Sequence, residues 1–441
     1  MSRRKQLARD TRVPVTELNE KGCGEGAADG LGVRVWGALP GERAGVRVVR
    51  RQRRRLEAVA ETIAEPHADR ITPDCPYTNR CGGCALQHLA PAAQRDLARD
   101  RLRRLLEASG AGAPAHWLPD VTGPTRGYRR KARLGVRMVP GKGGALVGFR
   151  ERGSSRVADV HACRVLAPEI GEILAPLRKL VGELSVARAV PQLEVAVGDD
   201  GAAIVLRHLE PLTEEDEARL RRAGQELGFR PWLQAGGPDT VRPLDPADGE
   251  RLHYRLPGHD LRLAFHPLDF TQVNAAVNRA MIDAALALLA PRGGERVLDL
   301  FCGLGNFTLP LARQCEEVHG VEGSEALVAR ARENAAANGI ANARFEVADL
   351  YDPAFDVRSL PGAGLVLLDP PRSGAEAICR RMDLPGPRRV LYVSCNPETL
   401  ARDAALLGAV GYRLEAAGIV DMFPHTAHVE SMALFERAAG A

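Results

Sequence analysis

No apolar run in this 441-residue chain is long enough to span a bilayer. The basic start, "MSRRKQLARD", lacks the apolar stretch that a secretory leader carries behind its positive charge. These two absences argue against membrane and export readings and point to the cytoplasm. Internal repeats and low-complexity tracts are missing too, which argues against a solenoid or a disordered linker protein. Lysine is scarce beside arginine and alanine, so part of the basic character is a bias of composition. An even cysteine count is also lacking. The nine cysteines of a chain read as cytosolic suggest metal binding or catalysis before a disulfide framework.

What is present is an ordinary globular composition, 45% apolar and 26% charged, and a length that suits two to four domains. The net charge of +4 is unevenly spread, with fourteen Arg and Lys against seven Asp and Glu in residues 1–60. "RAGVRVVRRQRRR" (43–55) and "RGYRRKARLGVR" (126–137) are the densest cationic stretches and suit phosphate backbones.

Three segments differ in rhythm. Residues 1–69 alternate short strand-like runs with Gly turns and predict a small β-barrel. Residues 70–265 open on a Cys/Pro/Gly-rich knot, continue through a helix over 91–109, and then run mostly as strands and turns. From 266 to 441, strands alternate with helices, the pattern of a doubly wound parallel sheet. The expected fold class is therefore multidomain, β at the N-terminus and α/β at the C-terminus.

"VLDLFCGLGNF" (297–307) is an apolar strand ending in Gly303-x-Gly305, where a cofactor can approach the backbone. Glu322 ends the next strand, at about the spacing where an acid meets a ribose hydroxyl, and Asp349 ends the one after. The third glycine of the dinucleotide fingerprint is absent, which favours S-adenosylmethionine over NAD. The fourth strand ends "LLDPPRSG" (367–374), where two prolines of fixed φ hold Asp369 in place. Enzymes that methylate exocyclic amines carry an aromatic at the position of Arg372, so a ring carbon is the better target. "LYVSCNPETL" (391–400) then leaves Cys395 at a strand end, where open α/β sheets bind ligands. A thiolate adding to C6 of a pyrimidine makes C5 nucleophilic, and a base must later remove the C5 hydrogen. Glu430, in "FPHTAHVESMALFER" (423–437), is the candidate base, with His425 and His428 beside it.

These stretches, with "FTQVN" (270–274), resemble the RNA uracil-C5 methyltransferases, the group that forms 5-methyluridine. The resemblance runs from about residue 10 to the C-terminus. It implies Cys395 as nucleophile and Glu430 as base. It also implies S-adenosylmethionine contacts at Gln272, Phe301, Asn306, Glu322, Asp349 and Asp369, with Asp369 helping to hold the uracil. Residues 10–69 resemble a TRAM domain, an RNA-binding barrel. Cys75, Cys81, Cys84 and Cys163 are similar to the ligands of the iron–sulfur branch, and four thiolates suit a [4Fe–4S] cluster. Structural zinc is the chemical rival. Because the four cysteines lie outside the methyltransferase segment, their loss is expected to cost folding more than chemistry. The combination is most similar to enzymes acting on a uridine of 23S ribosomal RNA, and implies neither a membrane nor an obligate protein partner. The competing readings are a transfer-RNA methyltransferase, an enzyme for another 23S uridine, a non-catalytic assembly factor and an iron–sulfur redox protein. Intact Cys395, Asp369 and Glu430 argue against the assembly factor, and the sequence offers no partner cofactor site for a redox protein.

Overall fold

The computed structural model describes residues 12–438, apart from 54, 250, 353–354, 357–359, 361 and 383–385. Strands β1 (Arg12–Leu18), β2 (Gly24–Ala28), β3 (Leu31–Trp36), β4 (Arg43–Arg51) and β5 (Arg55–Ala64) close into a barrel in the order β1-β2-β3-β5-β4. Alternate residues point inward, so Val13, Val15, Val33, Val35, Leu56 and Ala58 fill it. Beyond Gly45 the β4–β5 ribbon leaves the core, and Arg47, Arg50, Arg51, Arg53 and Arg55 are exposed with Val48 and Val49. Glu42 is fully buried at the barrel's end. It accepts hydrogen bonds from the N–H groups of Leu39 and His67 and from the Arg70 guanidinium, fastening the barrel to the chain that leaves it.

The helix α1 (Pro91–Ser109) starts with Pro91 in its first turn and ends at Gly110 in the left-handed region. Its sequence neighbours suggest the central segment, but its buried Leu102 and Leu106 pack into the C-terminal sheet's core instead. The two-residue strand β6 (His116–Trp117) pairs with that same sheet. Segment 91–117 therefore departs from the sequence-based boundary at 265. It does so because its apolar stripe has a larger apolar surface to cover there.

The central sheet has the order β12-β11-β10-β9-β7-β8. Its strands are β7 (Lys131–Val139), β8 (Gly144–Gly148), β9 (Gln192–Val197), β10 (Ala202–Arg207), β11 (Phe229–Gln234) and β12 (Val241–Pro243). Helices α2 (Pro168–Gly171), α3 (Leu174–Glu183) and α4 (Glu214–Leu227) accompany it. A hairpin, β13 (Leu252–Leu256) and β14 (Leu261–Phe265), joins it to the C-terminal part through one continuous apolar core.

The C-terminal sheet has the order β17-β16-β15-β18-β19-β21-β20-β6. Strands β15 (Arg296–Leu300), β16 (Glu317–Glu322), β17 (Ala343–Val347), β18 (Leu365–Leu368) and β19 (Arg389–Ser394) are mutually parallel. Strands β20 (Tyr412–Val420) and β21 (Glu430–Arg437) pair antiparallel, and β21 also runs antiparallel to β19. The sheet is thus mixed at one edge, and the parallel expectation holds for its first five strands. Helices α5 (Ala275–Leu289), α6 (Thr308–Ala312), α7 (Glu325–Ala337), α8 (Glu376–Cys379) and α9 (Pro397–Ala409) cover it. Asn274, Ser324 and Asn396 cap α5, α7 and α9 with their side-chain oxygens. No helix among the described residues is long and apolar enough to cross a membrane.

Candidate active site

The carboxyl ends of β15, β16, β17, β18 and β19 share one rim of the sheet, so the residues that terminate them gather there. Phe301, directly after β15, has φ +67°, a left-handed conformation rare for an aromatic residue and characteristic of strained sites. Glu322, at the end of β16, accepts the N–H of Gly303 at 3.2 Å and of Ser324 at 3.0 Å, which ties it to the glycine loop. Asp349 follows β17 and accepts the N–H of Tyr351. Phe301, Glu322, Asp349 and Asp369 therefore follow one another along that rim.

Asn306 and Gln272 lie deeper. The Asn306 side chain is exchanged with Asn278 in two hydrogen bonds, 2.9 and 3.0 Å, and also accepts from Tyr254. These bonds orient its amide and leave one Nδ2 hydrogen without a protein acceptor among the described residues. Gln272 lines a small cavity with those same partners, Tyr254 and Asn278.

The reactive end is more tightly built. Cys395 follows β19 and is half-buried; Glu430 begins β21 and is buried; Asp369 follows β18. Burial pushes the Cys395 thiol up to about 11, with the charges of Glu430 and Asp369 adding to the rise and Arg372 opposing it. Burial likewise lifts Asp369 to about 7, with Asp299 contributing. Glu430 is held well above the usual carboxylate range by burial and then by Asp369, against the pull of Arg372. The register of β19 with β21, Ser394 opposite Ser431, and with β18, Leu368 opposite Tyr392, brings Cys395, Glu430 and Asp369 to one rim of the sheet, with the exposed Arg372 guanidinium beside them. Arg372 also reaches Nδ1 of His428 at 3.1 Å, and the His428 ring packs on Phe423.

Sequence reasoning missed four participants. Asp299, in the middle of β15, is fully buried with one carboxyl oxygen unpartnered, and an acid within an apolar strand was the available signal. Tyr351 packs on Phe301 and bonds Ser373 Oγ and the Gly374 carbonyl, bridging two loops of the cleft. Phe270, two residues before Gln272, is 69% exposed, an aromatic face presented to solvent. Asp403, fully buried, accepts the N–H of Ala375 and the Tyr392 hydroxyl, both at 2.7 Å.

Cys75, Cys81 and Cys84 lie in one short knot, and Cys81 and Cys163 pack against the same apolar core. Cys75, Cys81 and Cys84 each feel the charge of Cys163, and burial raises all three thiols, Cys81 to about 11 and Cys84 to about 12. The Gly83 N–H points at Cys81 Sγ from 3.4 Å. The buried Arg152 guanidinium faces Cys81 and Cys84, stacks over Trp36 at 5.3 Å and leaves Nη1 with no partner. A buried cation with a spare donor beside four thiols matches the chemistry of an anionic thiolate cluster. Among the described residues no group of three or more His, Cys, Asp or Glu side chains is arranged to hold a metal ion.

The two basic stretches part company. In 126–137, Arg126 pairs with Asp74, Arg130 with Asp199 and Arg133 with Glu194, while Lys131 is buried and drawn down to about 8 by desolvation. Three of that stretch's six cations thus have acidic partners, whereas Arg50, Arg51, Arg53 and Arg55 of the barrel ribbon are exposed.

Residues 250–438 match the family model described as tRNA (Uracil-5-)-methyltransferase. A protein of Alkalilimnicola ehrlichii named 23S rRNA (uracil(1939)-C(5))-methyltransferase RlmD is 50% identical, with 99% of each chain aligned. Its namesake in Acidithiobacillus ferrooxidans is 49% identical over 99% of this chain and all of its own. This chain belongs to the RlmD family of uracil-C5 methyltransferases. The crystal structure of Pyrococcus abyssi tRNA (uracil-54, C5)-methyltransferase in complex with S-adenosyl-L-homocysteine superposes with a TM-score of 0.75 at 25% identity, covering 97% of this chain and 100% of that one. An RlmD-family member therefore has the fold of a methyltransferase solved with the demethylated cofactor, from the barrel to the last strand.

Proposed function

We propose that this chain methylates C5 of a uridine in 23S ribosomal RNA, with S-adenosylmethionine as methyl donor. The observation that carries this reading is the convergence of Cys395, Glu430 and Asp369 at the ends of three neighbouring strands, on the rim that also carries the glycine loop. Gln272, Phe301, Asn306, Glu322, Asp349 and Asp369 would hold the donor, with Asn306 oriented by Asn278 and Tyr254. When bound, the donor supplies an electrophilic methyl group.

Cys395 must first lose its proton, which Asp369 receives in its carboxylate form, so that Glu430 stays ionised for the later step. The thiolate then bonds to C6 of the uracil, and the ring's electrons make C5 the nucleophile that takes the methyl group. Glu430, as carboxylate, removes the C5 proton. The C6–sulfur bond breaks and the thiolate is restored. Burial makes ionised Glu430 a stronger base than an exposed glutamate. A base paired in RNA must be unstacked to enter, at a cost of a few kcal/mol, which favours flexible loops. The exposed ring of Phe270 offers a stacking face near the cleft.

The barrel and its arginine ribbon would contact RNA phosphates. Cys75, Cys81, Cys84 and Cys163 would hold a [4Fe–4S] cluster, which supplies an anionic cross-link between the cysteine knot and Arg152. The decisive assay uses radiolabelled S-adenosylmethionine with unmodified 23S ribosomal RNA and, separately, with transfer RNA. Label recovered as 5-methyluridine from the ribosomal RNA alone is expected. Label from transfer RNA alone would overturn the substrate assignment.

A further inference from the structure

The loop between β20 and β21 leads into Glu430 and carries His428, yet much of what holds it comes from outside its own sheet. The carbonyl of His425 accepts two hydrogen bonds, from the N–H of Ala85 at 2.8 Å and of Leu86 at 2.9 Å. These are the two residues directly after Cys84. The Gln94 side chain, in the first turn of α1, completes the attachment. Its Oε1 accepts the His425 N–H at 2.8 Å, and its Nε2 lies 3.2 Å from His425 Nδ1. The same Nε2 donates to the carbonyls of Leu89, at 2.7 Å, and Leu86, at 3.1 Å. The Tyr128 hydroxyl donates to the Pro424 carbonyl at 2.9 Å.

His425 sits at φ +68°, a conformation a histidine keeps only when its surroundings impose it. The strain is transmitted locally, because Thr426 Oγ1 bonds both the Phe423 carbonyl and the His428 N–H. The barrel closes over the junction. A Cβ on Gly22 would lie 3.1 Å from Ala85 Cβ and 3.3 Å from Ala427 Cβ. Gln94, Phe423, Thr426, His428 and Glu430 line a common cavity of about 140 Å³.

We infer that the Cys84–Leu86 segment and Gln94 form a clamp on His425. Through it the state of the cysteine knot sets the geometry of the loop that walls the base side of the active site. Gln94 is a positioning residue: it touches no reacting atom and acts through His425. Cys395 and Asp369 follow other strands, so cofactor binding and thiolate addition are spared, and removal of the C5 proton is the step that responds. The inference rests on Glu430 being the base and on the cysteines holding a cluster.

The test combines two variants with three readouts on the full-length, iron-loaded protein. Gln94→Leu removes every side-chain polar contact of the clamp and leaves the two backbone bonds to the His425 carbonyl. Gln94→Glu keeps the acceptor for the His425 N–H and should be rescued in part. We expect Gln94→Leu to bind S-adenosylmethionine within twofold of the parent by calorimetry. Release of RNA from the covalent adduct should slow about ten- to a hundredfold, the usual cost of an unsatisfied buried partner. Amide exchange at Ala85, Leu86 and His425 should accelerate together, and iron removal from the parent protein should accelerate the same three amides. Normal adduct release in a folded Gln94→Leu protein, or amides indifferent to iron removal, would overturn the clamp. If Gln94→Leu does not fold, the same readouts on Gln94→Glu decide. A parent protein that forms no adduct at all indicts the Cys395 reading, and the exchange measurement then tests the clamp by itself.

Discussion

The side-chain amide of Asn396 donates to the backbone carbonyl of Arg372 at 3.0 Å, while its own oxygen caps α9 by accepting the Glu398 N–H. One residue beyond the candidate nucleophile thus staples the two loops that carry Cys395 and Asp369. Thr399 Oγ1 reaches the same carbonyl, Arg402 donates to the Ser373 carbonyl, and Asp403 holds the Ala375 N–H. Asp403→Ala should leave the Tyr392 hydroxyl and the Ala375 N–H buried without partners. A loss of roughly 2–5 kcal/mol in urea unfolding of the protein is expected.

Cys395 and Glu430 should fail in different ways. Cys395→Ala should neither methylate nor form an adduct. Glu430→Gln should still add its thiolate and accept the methyl group, then stall, so that a methylated protein–RNA complex survives a denaturing gel. RNA containing 5-fluorouridine should trap the unmodified enzyme in the same manner, since fluorine does not leave as a cation. Normal turnover by Glu430→Gln would remove it from the role of base.

Asp369 makes a pH prediction with a definite sign. Its folded-state pKa is raised to about 7, above the ordinary aspartate value. The folded protein therefore binds this proton more tightly than the unfolded chain does. That contribution is complete below the unfolded pKa and is lost as pH rises through about 7. Asp369→Asn should abolish methylation yet raise the melting temperature at pH 8, with the gain vanishing near pH 4. Thermal scans across that range, without cofactor, would show it.

The two arginine stretches should differ in their salt dependence. Replacing Arg50 and Arg51 by Ala should flatten the slope of log K against log salt by about 1–1.5 for single-stranded RNA. Arg133→Ala, whose guanidinium is already paired with Glu194, should leave the slope nearly unchanged. Equal effects would show that the barrel ribbon is not the phosphate-binding face.

Protein purified without oxygen should contain about four iron per chain. Stoichiometric zinc in place of iron would displace the cluster assignment. Loss of Cys84 should also disturb the loop at His425, so its cost extends into chemistry, contrary to the expectation from sequence position.

Much of the candidate site was legible in the chain because each strand's apolar run announces its own end, and the candidate groups sit at that end or one residue beyond it: Phe301, Glu322, Asp369 and Cys395. The barrel was legible for the same reason, from alternation and glycine turns. Hydrogen bonds between distant segments leave no such trace. Gln94 and His425 lie 331 residues apart, and nothing in the local pattern of either names the other. Arg130 and Arg133 look like free cations until Asp199 and Glu194 arrive from another strand and neutralise them. The bonds that orient Asn306 come from Asn278 and Tyr254, 28 and 52 residues away. Periodicity and capping are short-range and were determined by the sequence itself. Charge pairing, the docking of α1 and the clamp on the base loop depend on which surfaces meet, and only the tertiary structure decided them.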